Sequence, residues 1–191
     1  ILAVIGVGLI MFTKNEKKKD IGSIFIGFAI LMYGMEAMSG AVAPLADNEK
    51  FTGILTMFSN PLLGLLAGTI LTAVIQSSSA SVGILQTLAM RGIVNWRSAI
   101  FITLGQNIGT CITAILSSAG ANKTAKRAAV IHLSFNVLGA AIYGVIMTIF
   151  FGIFPDLAMQ HISSTQISIF HSIFNLSLIH ISEPTRLLST S

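Results

Sequence analysis

Apolar residues occur along this chain in long, nearly uncharged runs that short polar segments separate. Residues 21–43 and 128–154 are each long enough to cross a bilayer, for which about 20 residues are required. Residues 98–119 have sufficient length as well, and residues 166–180 begin a further apolar helix. This pattern predicts an all-α membrane protein built as a bundle of several spanning helices.

The apolar run over residues 61–90 departs from this pattern. The polar segment Gln76-Ser77-Ser78-Ser79 divides it into two pieces that are each shorter than a bilayer. Polar groups are costly in hydrocarbon, so they persist where protein or a polar cavity surrounds them. Two interpretations fit the run: a re-entrant helical hairpin that turns at Gln76, and a single bent helix that crosses the membrane.

The basic residues help to separate these interpretations. The hairpin places seven of them on one side of the membrane and three on the other, whereas the bent helix divides them six to four. Basic residues accumulate in cytoplasmic loops, so the larger bias favours the hairpin. The seven cytoplasmic residues would be Lys14, Lys17, Lys18, Lys19, Lys123, Lys126 and Arg127. The three on the opposite side would be Lys50, Arg91 and Arg97.

A second polar interruption, Gly105-Gln106-Asn107-Ile108-Gly109-Thr110, lies within residues 98–119. Glycine lets a backbone leave helical geometry, so we predict a discontinuous helix here. Secondary transporters commonly combine such a helix with a hairpin, because half-helix N-termini attract anions while freed carbonyls bind cations. The amides and hydroxyls of the two segments suit an oxyanion together with an alkali cation.

The composition supports a membrane protein and argues against other classes. Hydrophobic residues make up 53% of the 191 residues and charged residues 9%, whereas soluble domains contain about 25% charged residues. The net charge of +4 does not indicate a nucleic-acid partner, since the basic clusters lie between apolar runs and orient the chain in the bilayer. The lone Cys111 provides neither a disulfide nor a metal site.

The changes in composition along the chain suggest four regions. Residues 1–13 are interpreted as the remnant of a severed transmembrane helix, and residues 14–20 as a cytoplasmic basic loop. Residues 21–180 form the membrane domain, which includes a short amphipathic segment over residues 51–59 that Pro61 ends. Residues 181–191 are interpreted as a polar tail, beginning where the last apolar helix stops at Glu183, and whether this tail is native is open.

Two pairs of polar residues, His132 with Asn136 and His171 with Asn175, each share one helical face. We interpret them as structural hydrogen bonds between helices, with a ligand or proton relay as the alternative. A hydrolase that uses a tip serine with either histidine is disfavoured. The serines lack a Gly-x-Ser-x-Gly elbow, and no acidic residue lies near a histidine in a triad-like arrangement. We therefore predict no enzyme and no catalytic residue.

Four motifs follow one another along the chain. They are Gln76-Ser77-Ser78-Ser79-Ala80, Gly105-Gln106-Asn107-Ile108-Gly109-Thr110-Cys111, Lys126-Arg127-Ala128-Ala129 and His132-Leu133-Ser134-Phe135-Asn136. Over residues 21–175 this series resembles the bacterial type II sodium/phosphate cotransporter family. The resemblance implies two inverted repeats, each with a Gln-Ser-Ser-Ser hairpin and a broken helix, that bind phosphate and sodium between them. This chain carries one such tip and resembles the second repeat, which implies a partner repeat upstream.

From this resemblance we expect sodium-coupled symport of inorganic phosphate across the cytoplasmic membrane, with Na⁺ as coupling ion and no other cofactor. The expected phosphate ligands are Gln76, Ser77, Ser78, Ser79, Gln106 and Asn107. The expected sodium ligands are Ser77, Ser79, Asn107 and Thr110. A non-transporting membrane scaffold or regulatory module and a symporter of another small oxyanion are the alternatives, and a homodimer is left open.

Overall fold

The computed structural model describes residues 1–46 and 57–188, so Lys50 and most of the predicted segment over residues 51–59 lie outside the described residues. Within these ranges the fold is helical, as predicted. The helices are α1 (Leu2–Phe12), α2 (Glu16–Ala46), α3 (Pro61–Ile75), α4 (Ser78–Met90), α5 (Trp96–Ser118), α6 (Lys123–Ile153), α7 (Pro155–Met159) and α8 (Ser164–Leu188). They form two compact units, Ile1–Ala43 and Pro44–Ser191.

Three helices in the described part of the chain are long and apolar enough to cross a membrane. They are the Glu16–Met38 part of α2, α5 and α6, in agreement with the spans predicted from the sequence. In the most apolar stretch of α5, 61% of the residues are buried, compared with 17% in α6. The central element of the second unit is therefore α5, whereas most of the α6 surface is not covered by the rest of this chain.

The first unit pairs α1 with α2 through two glycines. A Cβ built on Gly6 would lie 2.7 Å from the carbonyl oxygen of Gly22, so the two backbones touch. The helix α2 begins at Glu16, which corrects the predicted loop over residues 14–20. The reason is local: the Asn15 side chain accepts the Lys17 backbone N–H at 3.0 Å and starts the helix within the basic cluster.

In the second unit, α3 lies beside α5 and runs in the same direction. Gly64 faces Phe101 near the start of both helices, and Thr72 faces Gly109 further along. Two consecutive crossings by α3–α4 and α5 would make α3 and α5 antiparallel. The parallel arrangement requires α4, which connects α3 to α5 along the chain, to run antiparallel to both of them. Residues 61–90 therefore form a helical hairpin rather than one bent helix.

The predicted break in residues 98–119 is wrong, because α5 is one continuous helix from Trp96 to Ser118. Its glycines serve close packing instead. A Cβ on Gly105 would collide with the carbonyl oxygen of Leu65, and a Cβ on Gly109 would lie 2.6 Å from the carbonyl oxygen of Thr69. Small residues let helix backbones approach closely in membranes, and here they do so without disturbing helical geometry.

Aromatic and aliphatic side chains from α5 to α8 form the core of the second unit. The Tyr143 and Phe174 rings meet edge-on with centroids 5.0 Å apart, and Phe101 meets Phe151 at 6.4 Å. At the chain's end, α8 continues to Leu188 instead of stopping at Glu183 as predicted. A polar composition removes the apolar face of a helix but leaves its backbone hydrogen bonds available, so the change in composition did not mark a helix end.

The glycine contacts predict a selective effect of adding one methyl group. Gly105→Ala should lower the thermal stability of the folded protein, because the added Cβ would overlap the α3 backbone. Gly144→Ala is the matched control: Gly144 lies within α6 with nothing within 4 Å of its added Cβ, so alanine should stabilise it by about 0.5–1 kcal/mol. Thermal unfolding of detergent-solubilised protein measures both variants. An unchanged melting temperature for Gly105→Ala would contradict the close contact of α3 with α5.

The hairpin predicts a topology that thiol labelling can test in a Cys111→Ser background. Cysteines at Met57 and Arg91 should react with an impermeant reagent from one side of the membrane, because the hairpin returns the chain to the side it entered. A cysteine at Lys123 should react from the other side, since α5 crosses between Arg91 and Lys123. Labelling of Met57 and Arg91 from opposite sides would mean that residues 61–90 cross the bilayer.

Candidate functional site

The hairpin reverses direction within two residues. Gln76 adopts the left-handed conformation, with φ 57° and ψ 23°, and its N–H donates to the Thr72 carbonyl at 2.7 Å. Ser77 then caps α4, because its Oγ accepts the Ala80 backbone N–H at 3.3 Å. A left-handed residue ends one helix and a serine cap starts the next, so the two residues suffice for the turn.

The tip exposes hydroxyl groups beside the first turn of α4. Gln76 and Ser79 are exposed, while Ser77 and Ser78 are partly buried. The hydroxyls of Ser77 and Ser79 lie 3.3 Å apart, and in the described part of the chain the Ser78 hydroxyl has no hydrogen-bond partner. Backbone N–H groups in the first turn of a helix have no partners within the helix. The structure therefore brings the four tip residues of the predicted site together around a helix N-terminus.

Three buried polar residues join the tip to α5. Thr72 Oγ1 donates to Ser81 Oγ at 2.7 Å, which connects the two arms of the hairpin. Gln106 Nε2 donates to the Ser81 carbonyl at 2.9 Å, which connects α4 to α5. The exposed fractions of Thr72, Ser81 and Gln106 are 1%, 0% and 1%. We call these three residues the hairpin clamp.

Gln106 presents one unusual atom. Its Oε1 is buried and has no hydrogen-bond partner, whereas its Nε2 is engaged with Ser81. A buried acceptor without a donor is unfavourable unless a ligand satisfies it. A carbonyl oxygen in this situation is a suitable ligand for a cation. Gln106 is therefore a candidate sodium ligand, whereas the sequence analysis had predicted it as a phosphate ligand.

Asn107 and Thr110 lie on α5 next to Gln106, and no hydrogen bond joins them to the hairpin tip in the described residues. Asn107 Nδ2 donates to the Thr103 carbonyl at 3.0 Å, and Thr110 Oγ1 donates to the Gln106 carbonyl at 2.9 Å. Asn107 is 6% exposed and stands at the midpoint of α5. Bonds of this kind satisfy the donors within the helix and leave the side-chain oxygens as possible ligands.

In both His/Asn pairs the asparagine amide donates within its own helix. A bond between helices, as predicted, occurs beside the first pair, where Cys111 Sγ of α5 donates to the His132 carbonyl of α6 at 3.7 Å. Asn136 Nδ2 donates to the His132 carbonyl at 3.0 Å, and Asn175 Nδ2 donates to the His171 carbonyl at 2.8 Å. The i and i+4 spacing places each amide over a backbone carbonyl of its own helix, which the sequence argument overlooked. The imidazole rings take no part in these bonds, so the pairing assigns no role to the rings.

Thr72 and Ser81 are functional candidates that are absent from the predicted site. Their positions carried a signal that could have identified them. In a hairpin that turns between Gln76 and Ser77, residues equally distant from the turn face each other. Thr72 lies four residues before Gln76 and Ser81 lies four residues after Ser77, so two hydroxyls at these positions are expected to meet.

A cavity along the described part of the hairpin is unsuited to ions. It has a volume of about 560 Å³ and lies between the two arms, with Leu66 and Ile70 from α3 and Ile84 and Leu88 from α4 in its wall. All of its lining residues are apolar. The predicted ion ligands lie at the tip and along α5, and none of them lines this cavity.

Comparison with known proteins identifies the family of this chain. Residues 30–182, which include the hairpin and α5, match the model of the family described as Na⁺/Pi-cotransporter. The chain belongs to the Na⁺/Pi-cotransporter family. The match begins within α2 and ends within α8, so it includes α3 to α7 completely and most of α8. No solved structure matches the chain.

Several known proteins resemble the chain over most of its length. The uncharacterized protein YqeW of Bacillus subtilis is 35% identical over 140 residues, which are 73% of this chain and 46% of that protein. The sodium-dependent phosphate transport protein 2B of Pongo abelii is 38% identical over 151 residues, 70% of this chain and 22% of that protein. The Escherichia coli protein YjbB, provisionally named for inorganic phosphate export, is 28% identical over 143 residues, 74% of this chain and 26% of that protein. The chain thus spans less than half the length of these relatives.

The free hydroxyl at the tip predicts a mutation that weakens binding and spares folding. Ser78→Ala should lower phosphate affinity by about three- to tenfold, the equivalent of a hydrogen bond worth about 0.5–1.5 kcal/mol, without lowering the melting temperature. Ser134→Ala is the control, because the Ser134 hydroxyl donates to the Val130 carbonyl within α6. Equilibrium binding of radiolabelled phosphate to the full-length protein measures the affinity. An unchanged affinity in Ser78→Ala would remove this hydroxyl from the site.

Proposed function

We propose that this chain forms one half of a sodium-coupled symporter of inorganic phosphate in the cytoplasmic membrane. Membership of the Na⁺/Pi-cotransporter family and the names of its phosphate-transporting relatives support the substrate. The observation that carries the proposal is the hairpin tip: a capped helix N-terminus with clustered hydroxyls lies against the middle of a membrane-spanning helix. The tip then supplies ligand groups, and α5 supplies one wall, for a midplane transport site.

The anion site in this proposal consists of the α4 N-terminus with Gln76, Ser77, Ser78 and Ser79, and with Asn107 from α5. The N-terminus carries roughly half a positive charge and several backbone donors. No lysine or arginine occurs in residues 70–90 or 98–118. A phosphate with its full charge is costly to bring to this depth, and the helix end offsets only part of that cost. A bound cation supplies the remaining positive charge.

The cation site in this proposal uses neutral oxygens close to the anion. The hydroxyls of Ser77 and Ser79 and the side-chain oxygens of Asn107 and Thr110 are suitable hard ligands. The buried, unpartnered Oε1 of Gln106 adds an oxygen whose satisfaction by Na⁺ would remove an unfavourable feature of the fold. Sodium and phosphate then neutralise each other at adjacent positions, which makes their binding interdependent.

A second hairpin completes the site in this proposal. The chain carries one Gln-Ser-Ser-Ser tip and covers less than half of its curated relatives. We propose an upstream repeat in the longer protein as the partner, and a second copy of this chain as the alternative that a homodimer would provide. Mass measurement of the purified full-length protein in detergent, with and without the upstream part, distinguishes these arrangements.

The direction of net transport has two candidates. The names of the Pongo abelii and Escherichia coli relatives refer to sodium-dependent transport and to phosphate export, respectively. Sodium-coupled symport moves phosphate down the sodium gradient, so uptake into cells is expected under an inward gradient. Reconstituted vesicles with an imposed sodium gradient of either sign test the direction, and flux that ignores the gradient would favour an uncoupled exporter. Absence of phosphate flux in both directions would favour the scaffold alternative.

Interdependent binding gives a quantitative prediction. Sodium should raise phosphate affinity, and linkage requires phosphate to raise sodium affinity by the same factor. Asn107→Ala and Thr110→Ala should reduce this factor, with Thr148→Ala as a control because the Thr148 hydroxyl bonds within α6. Calorimetry of the full-length protein in sodium, potassium or choline chloride measures both affinities. Equal phosphate affinity in choline and sodium would contradict coupling, and a full sodium effect in both α5 variants would place the cation elsewhere.

A further inference from the structure

The hairpin clamp holds the first turn of α4 from two sides. Ser81 accepts a hydrogen bond at its hydroxyl from Thr72 and a second at its carbonyl from Gln106. Ser81 belongs to the first turn of α4, since its own N–H donates to the Ser77 carbonyl at 3.0 Å. The direction in which this helix end points therefore depends on α3 and α5 as well as on the turn itself.

Thr72 forms hydrogen bonds to a residue of the turn and to a residue of α4. Its carbonyl accepts the N–H of Gln76, the left-handed turn residue, at 2.7 Å. Its hydroxyl donates to Ser81 across the turn at the same distance. Any displacement of Thr72 along α3 would change the position of the turn and of the α4 first turn together.

Close packing fixes Thr72 in place. A Cβ added to Gly109 would lie 2.7 Å from Thr72 Cβ, so the α5 backbone presses directly on this residue. One turn earlier, a Cβ on Gly68 would collide with the carbonyl oxygen of Ile102. The clamp thus transfers the rigid contact between α3 and α5 to the end of α4 that faces the ligand.

We propose that Thr72 and Ser81 are positioning residues for phosphate: they orient the N-terminus of α4 without touching the ligand. This inference depends on the proposed function, since it concerns the same site. Both residues are buried, whereas Gln76 and Ser79 at the tip are exposed, so the clamp lies behind the binding groups. Removing the Thr72–Ser81 hydrogen bond should therefore weaken phosphate binding while leaving every ligand group present.

A set of threonine variants in the full-length protein separates positioning from general stability. Thr72→Val removes the hydroxyl at nearly constant volume and should weaken phosphate affinity by about three- to tenfold. Thr72→Ser retains the hydroxyl and should restore the affinity. Thr87→Val is the matched control, because Thr87 is equally buried but its hydroxyl donates to the Gly83 carbonyl within α4. If Thr72→Val and Thr87→Val bind phosphate equally well, the proposal is wrong.

A double-mutant cycle tests whether the two residues act through one bond. Ser81→Ala should weaken phosphate affinity as Thr72→Val does, and the double variant should be no weaker than either single variant. Independent, multiplying losses would contradict a shared hydrogen bond.

Hydrogen exchange of the α4 first turn provides a measurement that does not depend on phosphate. Thr72→Val should accelerate exchange at the Ala80 and Ser81 amides, which are hydrogen-bonded to Ser77, and Thr87→Val should not. A parent protein that binds no phosphate would refute the proposed function, and the exchange rates would still decide whether the clamp exists. Accelerated exchange with unchanged phosphate affinity would show a clamp that does not position the ligand.

Discussion

The contact between the backbones of α3 and α5 is the constraint on which the second unit depends. Gly68 and Gly105 bring carbonyl oxygens of one helix to where a side chain of the other would stand. In a membrane there is little hydrophobic drive between helices, so such close packing supplies much of the association energy. Thr69 strengthens the contact, because its hydroxyl lies 3.1 Å from the Gly105 carbonyl on the neighbouring helix. With α3 and α5 parallel and touching, α4 is confined to the return path of a hairpin.

The same unit shows how polar residues are accommodated in apolar helices. Thr103, Asn107 and Thr110 each donate to a carbonyl four residues earlier, so their donors are satisfied without breaking α5. Donors are thus consumed locally and acceptors remain. This asymmetry matters for chemistry, because a helix surface that keeps its oxygens free provides ligands for cations, whereas donors for an anion must come from a helix end.

The sequence predicted the hairpin well and the interior of α5 poorly, for identifiable reasons. A polar Gln-Ser-Ser-Ser segment between two short apolar pieces leaves few arrangements that avoid exposing backbone to lipid, and charge bias chose between them. Gly105 and Gly109 are ambiguous in a single sequence, because glycine serves both bends and close contacts. The neighbouring helix determines which role a glycine has, and here its contact residues, Leu65 and Thr69, are distant in sequence from Gly105 and Gly109. Thr72 and Ser81 were missed because each resembles an ordinary packing residue until the turn position pairs them.

The hairpin also determines the electric field at its tip. The C-terminus of α3 and the N-terminus of α4 are separated by Gln76 and Ser77, so helix ends of opposite partial charge, each roughly half an elementary charge, stand side by side. The fields of two opposite charges largely cancel at distances that are large compared with their separation, so a distant ion feels little. At contact the tip favours an anion over one helix end and a cation over the other. It is therefore complementary to an ion pair rather than to either ion alone, and a single ion arriving first gains only part of the available stabilisation.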